Sequence, residues 1–170
     1  RELLFDLNIF SRRRRGLLSI FEKRLNEPQE LCVVYTPNPE QIVQSRGNKK
    51  FKQVLQQADL LLPDGIGLVW ASKILALFGR AKPLSERIAG VDVVRDLLGM
   101  AHQRGLDVLV IGGREYSPED YFAYDGAKIN WTPGYKNVSQ PTPSEDKLLK
   151  LKIKQLQPDL VLVAFGAPAQ

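Results

Sequence analysis

Ala58-Asp59-Leu60-Leu61-Leu62-Pro63-Asp64-Gly65-Ile66-Gly67 decides the fold class. Asp59–Leu62 is apolar without alternation, the pattern of a short strand in a parallel sheet covered on both faces. Pro63 ends it, because its ring fixes φ and removes the donor that the next ladder bond needs. Asp64 follows directly, and Gly65 and Gly67 permit close backbone approach before a helix predicted over Leu68–Phe78. In open α/β sheets ligands bind in the crevice outside the carboxyl ends of the strands. A carboxylate there is placed for acid–base work. Pro-Asp-Gly is equally well a plain turn, with Asp64 capping the helix that follows.

Towards the N-terminus, Leu3–Ile9 reads as a short strand and Ser11 to about Asn26 as a helix, with Leu17, Leu18, Phe21 and Leu25 on one face. Glu30–Tyr35 is the next strand. Thr36-Pro37-Asn38-Pro39-Glu40 then turns out of the sheet, and Pro39 suits the first position of a helix that Asn38 caps. Asn38 and Thr36 also have a second reading, since donor and acceptor groups at a strand end can hold a sugar hydroxyl or acetamido group. Lys49–Ala58 is a further helix, with Phe51, Val54 and Leu55 towards the sheet.

On the other side, a basic loop runs to Ser85-Glu86-Arg87-Ile88-Ala89-Gly90. Arg87, near a helix start, can bind a pyrophosphate through two parallel bonds or pair with Glu86 or Asp92 at the surface. Gly90–Arg104 is an amphipathic helix with Val91, Val94, Leu97, Leu98 and Ala101 inward; His102 near its end suits the helix dipole and needs no catalytic role. Leu106–Ile111 is a strand followed by Gly112-Gly113, a pair that lets a nucleotide approach the backbone, although no three-glycine dinucleotide fingerprint is present. Ser117–Asp120 can start only a short helix before Gly126. Lys128–Trp131 is a brief strand, and Tyr135 beyond it either stacks on a base or sugar or packs at the loop base. Ser144 is expected to cap a helix through Leu156, and Asp159–Phe165 is the last strand, running into Gly166-Ala167-Pro168-Ala169-Gln170.

Strands alternating with helices predict an α/β, three-layer, Rossmann-like domain with a mostly parallel sheet and helices on both faces. One domain over residues 1–170 is expected, with a core supported by 44% hydrophobic residues. The polar residues past the strand ends then converge on one edge. The net charge of +5 includes the run Arg12-Arg13-Arg14-Arg15, read as a solvated face or as a contact with phosphates or an anionic membrane. Cys32 reads as a buried, inert thiol in a reducing compartment. One cysteine and one histidine cannot build a zinc centre. Nucleic-acid motifs, a signal peptide and a bilayer-spanning run are not found.

Taken together, TPNPE (36–40), ADLLLPDGIG (58–67), ERIAGVD (86–92), VIGG (110–113), PGY (133–135) and GAPAQ (166–170) resemble the WecG/TagA/CpsF family of bacterial glycosyltransferases. The resemblance implies transfer of a sugar (N-acetylmannosamine, its uronic acid or glucose) from a UDP-sugar to a polyprenyl-diphosphate-linked saccharide, for wall teichoic acid or other surface polysaccharides. By residue, it implies Asp64 as general base, with Thr36, Asn38, Arg87, Gly112, Gly113, Tyr135 and Gln170 around the substrates. It implies inversion, no cofactor and no metal; the sequence has no Asp-x-Asp pair of the kind that holds a divalent ion on a nucleotide-sugar. It also implies a cytoplasmic protein peripheral to the inner face of the membrane, and it allows a homo-oligomer. The family has a longer insert between its GG and GY motifs and continues past GxPxQ into a membrane-docking segment, so a core truncated at its C-terminus is expected. A non-catalytic nucleotide-sugar sensor and a nicotinamide-dependent enzyme are the competing readings, the latter opposed by the missing glycine fingerprint.

Overall fold

The computed structural model describes residues 2–4, 6–27, 31–113 and 126–166. They form an α/β fold of Rossmann-like kind, and the chain divides into two compact units, Arg1–Val93 and Val94–Gln170.

In the first unit, the strand expected over Leu3–Ile9 is instead a hairpin of β1 (Glu2–Leu4) and β2 (Leu7–Ile9). Asp6 makes the reversal at φ 62, a region that aspartate tolerates better than most residues. After α1 (Arg14–Asn26), β3 (Val34–Tyr35), α2 (Pro39–Gly47), α3 (Lys49–Gln56) and β4 (Leu60–Leu61) complete a sheet in the order β1-β2-β4-β3, with β2 and β3 parallel to β4. Both strands are shorter than expected, and Glu30 lies outside the described residues. Leu7, Ile9, Ile42, Phe51, Leu55, Leu61 and Leu68 form one buried cluster. Val54, expected inward, faces solvent, since Phe51 and Leu55 already fill the stripe that α3 turns to the sheet. α4 (Ile66–Leu77) begins two residues earlier than the predicted Leu68.

In α5 (Gly90–Arg104), Val93, Leu98 and Ala101 are buried, whereas Val91 and Val94 are exposed. Valines at 91, 93 and 94 offer two apolar stripes by spacing alone, and packing selects the one that continues to Ala101. The second unit contains β5 (Asp107–Gly112), β6 (Lys128–Thr132), α6 (Pro143–Leu156) and β7 (Leu160–Ala164), with a parallel sheet in the order β6-β5-β7. The central strand β5 is buried from Val108 to Gly112, as an unalternated apolar run requires. The cap of α6 is Thr142, not Ser144. Pro143 takes the first helical position, so the capping box closes between Thr142 and Glu145, whose Oε2 accepts the Thr142 N–H at 2.9 Å. The short helix expected after Ser117 lies outside the described residues.

One device starts a strand in each unit. Asp59 donates its N–H to Val33 O at 2.9 Å, and its Oδ2 accepts the Val33 N–H at 2.8 Å. Asp159 does the same with Asp107, at 2.8 and 2.9 Å. Each aspartate satisfies a backbone donor that the ladder leaves open at its beginning.

Candidate functional site

Parallel pairing of β3 with β4 sets Tyr35 opposite Leu61, so the chain leaves both strands side by side. Backbone bonds continue past the ladder: Leu62 N–H donates to Tyr35 O at 2.8 Å and Asp64 N–H to Pro37 O at 3.1 Å. A third segment joins where Ile88 N–H donates to Pro63 O at 2.9 Å. Thr36–Asn38, Pro63–Gly65 and Arg87–Gly90 therefore meet at one place, and Asp64 lies among them.

The Asp64 carboxylate is divided between two donors. Oδ1 accepts from Arg87 Nη2 at 3.1 Å and from Nε at 3.4 Å. Oδ2 accepts the Gly90 N–H at 3.0 Å, the first turn of α5, where a negative charge is favoured by the helix dipole. Asp64 thus caps a helix, but α5 rather than the α4 that follows it. Side-chain exposures of 27% for Asp64 and 52% for Arg87 leave the pair open to solvent on one side. The arrangement keeps a carboxylate oriented beside a guanidinium that a diphosphate can compete for.

The surrounding residues hold this geometry. Asn38 closes a capping box on α2, with Oδ1 accepting the Gln41 N–H at 2.9 Å and Gln41 Oε1 accepting the Asn38 N–H at 3.1 Å. Thr36 packs on Gly90: a Cβ there would lie 2.8 Å from its Oγ1. The glycines of the PDGIG stretch serve a neighbour within the fold. A Cβ on Gly65 would lie 2.6 Å from Pro39 Cδ, and one on Gly67 3.2 Å from Pro39 Cγ. Glu86, next to Arg87, accepts the backbone N–H of Arg14 at the start of α1, and Arg14 Nη2 donates to Asp92 O at 3.4 Å. The loop from Glu86 to Gly90 is therefore tied at both ends by carboxylates capping helices. Sequence reading had no signal for Gly90 or Glu86 in these roles, because their partners lie 26 and 72 residues away.

Gly112, Gly113 and Tyr135 belong to the second unit, where Phe165 packs against Gly112 and Tyr135. A Cβ on Gly112 would lie 2.7 Å from the Phe165 ring, and Gly112 and Gly113 have φ of +84 and +68, which favour glycine. The Tyr135 ring is tilted on Phe165 at 5.8 Å, and its hydroxyl donates to Asp146 Oδ1 at 2.7 Å. That hydrogen bond, helped by burial and by the acidic neighbours, raises the tyrosine pKa and keeps the phenol protonated. Trp131, not singled out by the sequence, donates Nε1 to Gly112 O at 2.9 Å and so steadies the end of β5. Gln170 lies outside the described residues. Burial first, and then the charge of Asp59, raises the pKa of the half-buried Cys32, which suits an unreactive thiol. Among the described residues no cluster of three His, Cys, Asp or Glu side chains is placed to hold a metal ion, and no helix is long and apolar enough to cross a membrane.

A sequence model of the glycosyl transferase WecG/TagA/CpsF family matches residues 3–170. A Bacillus spizizenii protein named N-acetylglucosaminyldiphosphoundecaprenol N-acetyl-beta-D-mannosaminyltransferase is 32% identical over 143 residues, covering 81% of this chain and 51% of the relative. Proteins of the same name from Bacillus subtilis and Staphylococcus aureus are 28% and 26% identical, over 91% and 85% of this chain and 58% and 55% of their own lengths. The chain spans about half the length of the curated relatives it matches.

Proposed function

The chain belongs to the glycosyl transferase WecG/TagA/CpsF family, and from that premise we propose that it supplies the base-bearing core of an inverting, UDP-sugar-dependent N-acetylmannosaminyltransferase. The acceptor is a polyprenyl-diphosphate-linked N-acetylglucosamine, the chemistry in the names of its relatives. One observation carries the reading: Asp64, past the end of β4, shares Oδ1 with Arg87 while Oδ2 is anchored on α5. When the donor diphosphate takes the Arg87 guanidinium, Oδ1 is released and can accept the proton of the attacking hydroxyl, while the Gly90 N–H keeps the carboxylate aimed. The hydroxyl oxygen forms its bond to the anomeric carbon from the face opposite UDP as the bond to the diphosphate oxygen breaks. Charge growing on the leaving diphosphate is met by Arg87. By the family resemblance, Thr36 and Asn38 are assigned to the sugar, and Gly112, Gly113, Tyr135 and Gln170 to further substrate contacts. The reaction is expected to need no metal, so EDTA should leave the rate unchanged.

The test is product formation from UDP-N-acetylmannosamine and a short-chain lipid-diphosphate N-acetylglucosamine, with the anomeric configuration read by NMR. An inverted disaccharide product, lost in Asp64→Asn, is expected. A second reading has its own observation, since both Asp64 oxygens already accept hydrogen bonds, as a purely structural latch would. On that reading the protein binds a UDP-sugar without turning it over. UDP-sugar binding together with no product in a protein of the relatives' length favours the sensor.

A further inference from the structure

The connection from α4 to α5 contains neither helix nor strand between Lys82 and Ala89, so individual bonds set where Arg87 sits. Ser85 is moored to the segment that follows β2: its N–H and its Oγ both donate to Ser11 O, at 3.4 and 2.6 Å. Glu86 accepts the Arg14 N–H, and the buried Ile88 donates its N–H to Pro63 O at 2.9 Å. Gly90 closes the series on Asp64. Between these moorings Arg87 reaches Asp64 with a guanidinium half open to solvent.

Glu86 differs from the other moorings because it brings a negative charge to a helix start that lacks one. Arg13, at the N-cap of α1, makes no side-chain cap bond, and the first turn holds Arg14 and Arg15 with no acidic residue. Cations at a helix start oppose the macrodipole, and the first N–H groups there need acceptors from outside the helix. Glu86 answers both from 72 residues away, and a charged acceptor makes a stronger bond than a neutral one. Arg14 then bridges to the first turn of α5 through Asp92 O. Two adjacent side chains thus have separate anchors, Glu86 on α1 and Arg87 on Asp64.

We propose that Glu86 is a positioning residue for Arg87. The inference rests on the reading that a donor diphosphate takes the guanidinium from Asp64. At that moment the pair with Asp64 no longer restrains Arg87, and the bond from Glu86 to α1 fixes the backbone from which the guanidinium reaches either partner. Misplacement by ~1 Å can cost ~10²-fold where reacting groups must be aligned.

Two measurements on the 170-residue chain test this: UDP affinity by titration calorimetry, and backbone order at Arg87 by nitrogen relaxation NMR without ligand. Glu86→Ala should weaken UDP binding at least ~5-fold and lower the Arg87 order parameter from about 0.85 towards about 0.6. Glu86→Gln keeps an acceptor for the Arg14 N–H and should restore most of both. In an Arg87→Ala background, Glu86→Ala should leave the remaining affinity within ~2-fold, since no guanidinium is left to place. Arg14→Pro breaks the same bond from the other side. It deletes the donated N–H at the first helical position, where proline is tolerated and Arg13 is already extended at ψ 155. It should reproduce the loss in Glu86→Ala, and circular dichroism checks that each variant folds. Equal losses of affinity with and without Arg87 would assign Glu86 to general stability and overturn the proposal. A rigid Arg87 in Glu86→Ala, or parental affinity in Arg14→Pro, would overturn it too. A parent chain that binds no UDP would count against the donor reading, whereas the relaxation result needs no ligand and decides on Glu86 by itself.

Discussion

Asp64 Oδ2 accepts the backbone N–H of Gly90 at 3.0 Å across 26 residues of sequence, so the candidate base also caps the helix that closes its own site. One side chain then has two jobs that substitutions can separate. Asp64→Asn keeps an acceptor for Gly90, and its stability should stay within about 1 kcal/mol of the parent. Asp64→Ala loses the cap and should cost about 0.5–2 kcal/mol. Transfer should fall at least ~10²-fold in both. Urea unfolding gives the first pair of numbers, and single-turnover kinetics in a protein of the relatives' length gives the second. Near-parental transfer by Asp64→Asn would leave Asp64 a capping residue only.

Gly90→Ala probes the same junction from the other side. Alanine favours a helix over glycine by about 1 kcal/mol, yet its Cβ would lie 2.8 Å from Thr36 Oγ1 and 3.3 Å from Thr36 Cβ. The clash should win, giving a net loss of about 1–3 kcal/mol. Thr36→Ala removes Oγ1 and Cγ2 and should recover part of it. A double-mutant cycle with no coupling would show that Thr36 is not what Gly90 accommodates.

The Phe165 ring should set the cost of side chains at Gly134 and Gly112. A Cβ on Gly134, at φ +73, would lie 2.5 Å from Phe165 Cζ. Gly134→Ala should cost about 2–4 kcal/mol, of which about 1–2 is left-handed backbone strain. In a Phe165→Leu background the increment should shrink towards the strain alone, as thermal unfolding would show.

Glu145 provides a pH signature. Its carboxyl is held down to about 2, from 4.5, first by the Thr142 hydroxyl and then by the backbone N–H groups of Lys136 and Thr142. A folded pKa below the unfolded one means stability that is present above about 4.5 and is lost as pH falls through about 2. Carbon-detected NMR of the side chain should show a late titration, and Thr142→Ala should move it back up. An unchanged titration in that variant would remove Thr142 as the main cause.

Much of the local structure was legible because its partners are close in sequence. Asn38 and Pro39, adjacent in sequence, announce the start of α2, and the apolar run of β5 announces a strand buried on both faces. The start of α6 was misread by two residues, since Thr142 and Ser144 are both good caps and only Pro143 at the first helical position separates them.

By itself the sequence determined the order of the described strands and helices after the N-terminal hairpin, the family, and the place of Asp64 past a strand end, because short-range periodicity, proline and capping carry that information. Tertiary structure alone decided which helix Asp64 caps, that Arg87 pairs with it, and that Gly65 and Gly67 make room for Pro39. It also decided that α5 buries Val93 instead of Val91 and Val94. Each of these depends on a partner brought close by chain folding, and hydrogen bonds and van der Waals contacts act only over a few ångströms, whatever the separation along the chain.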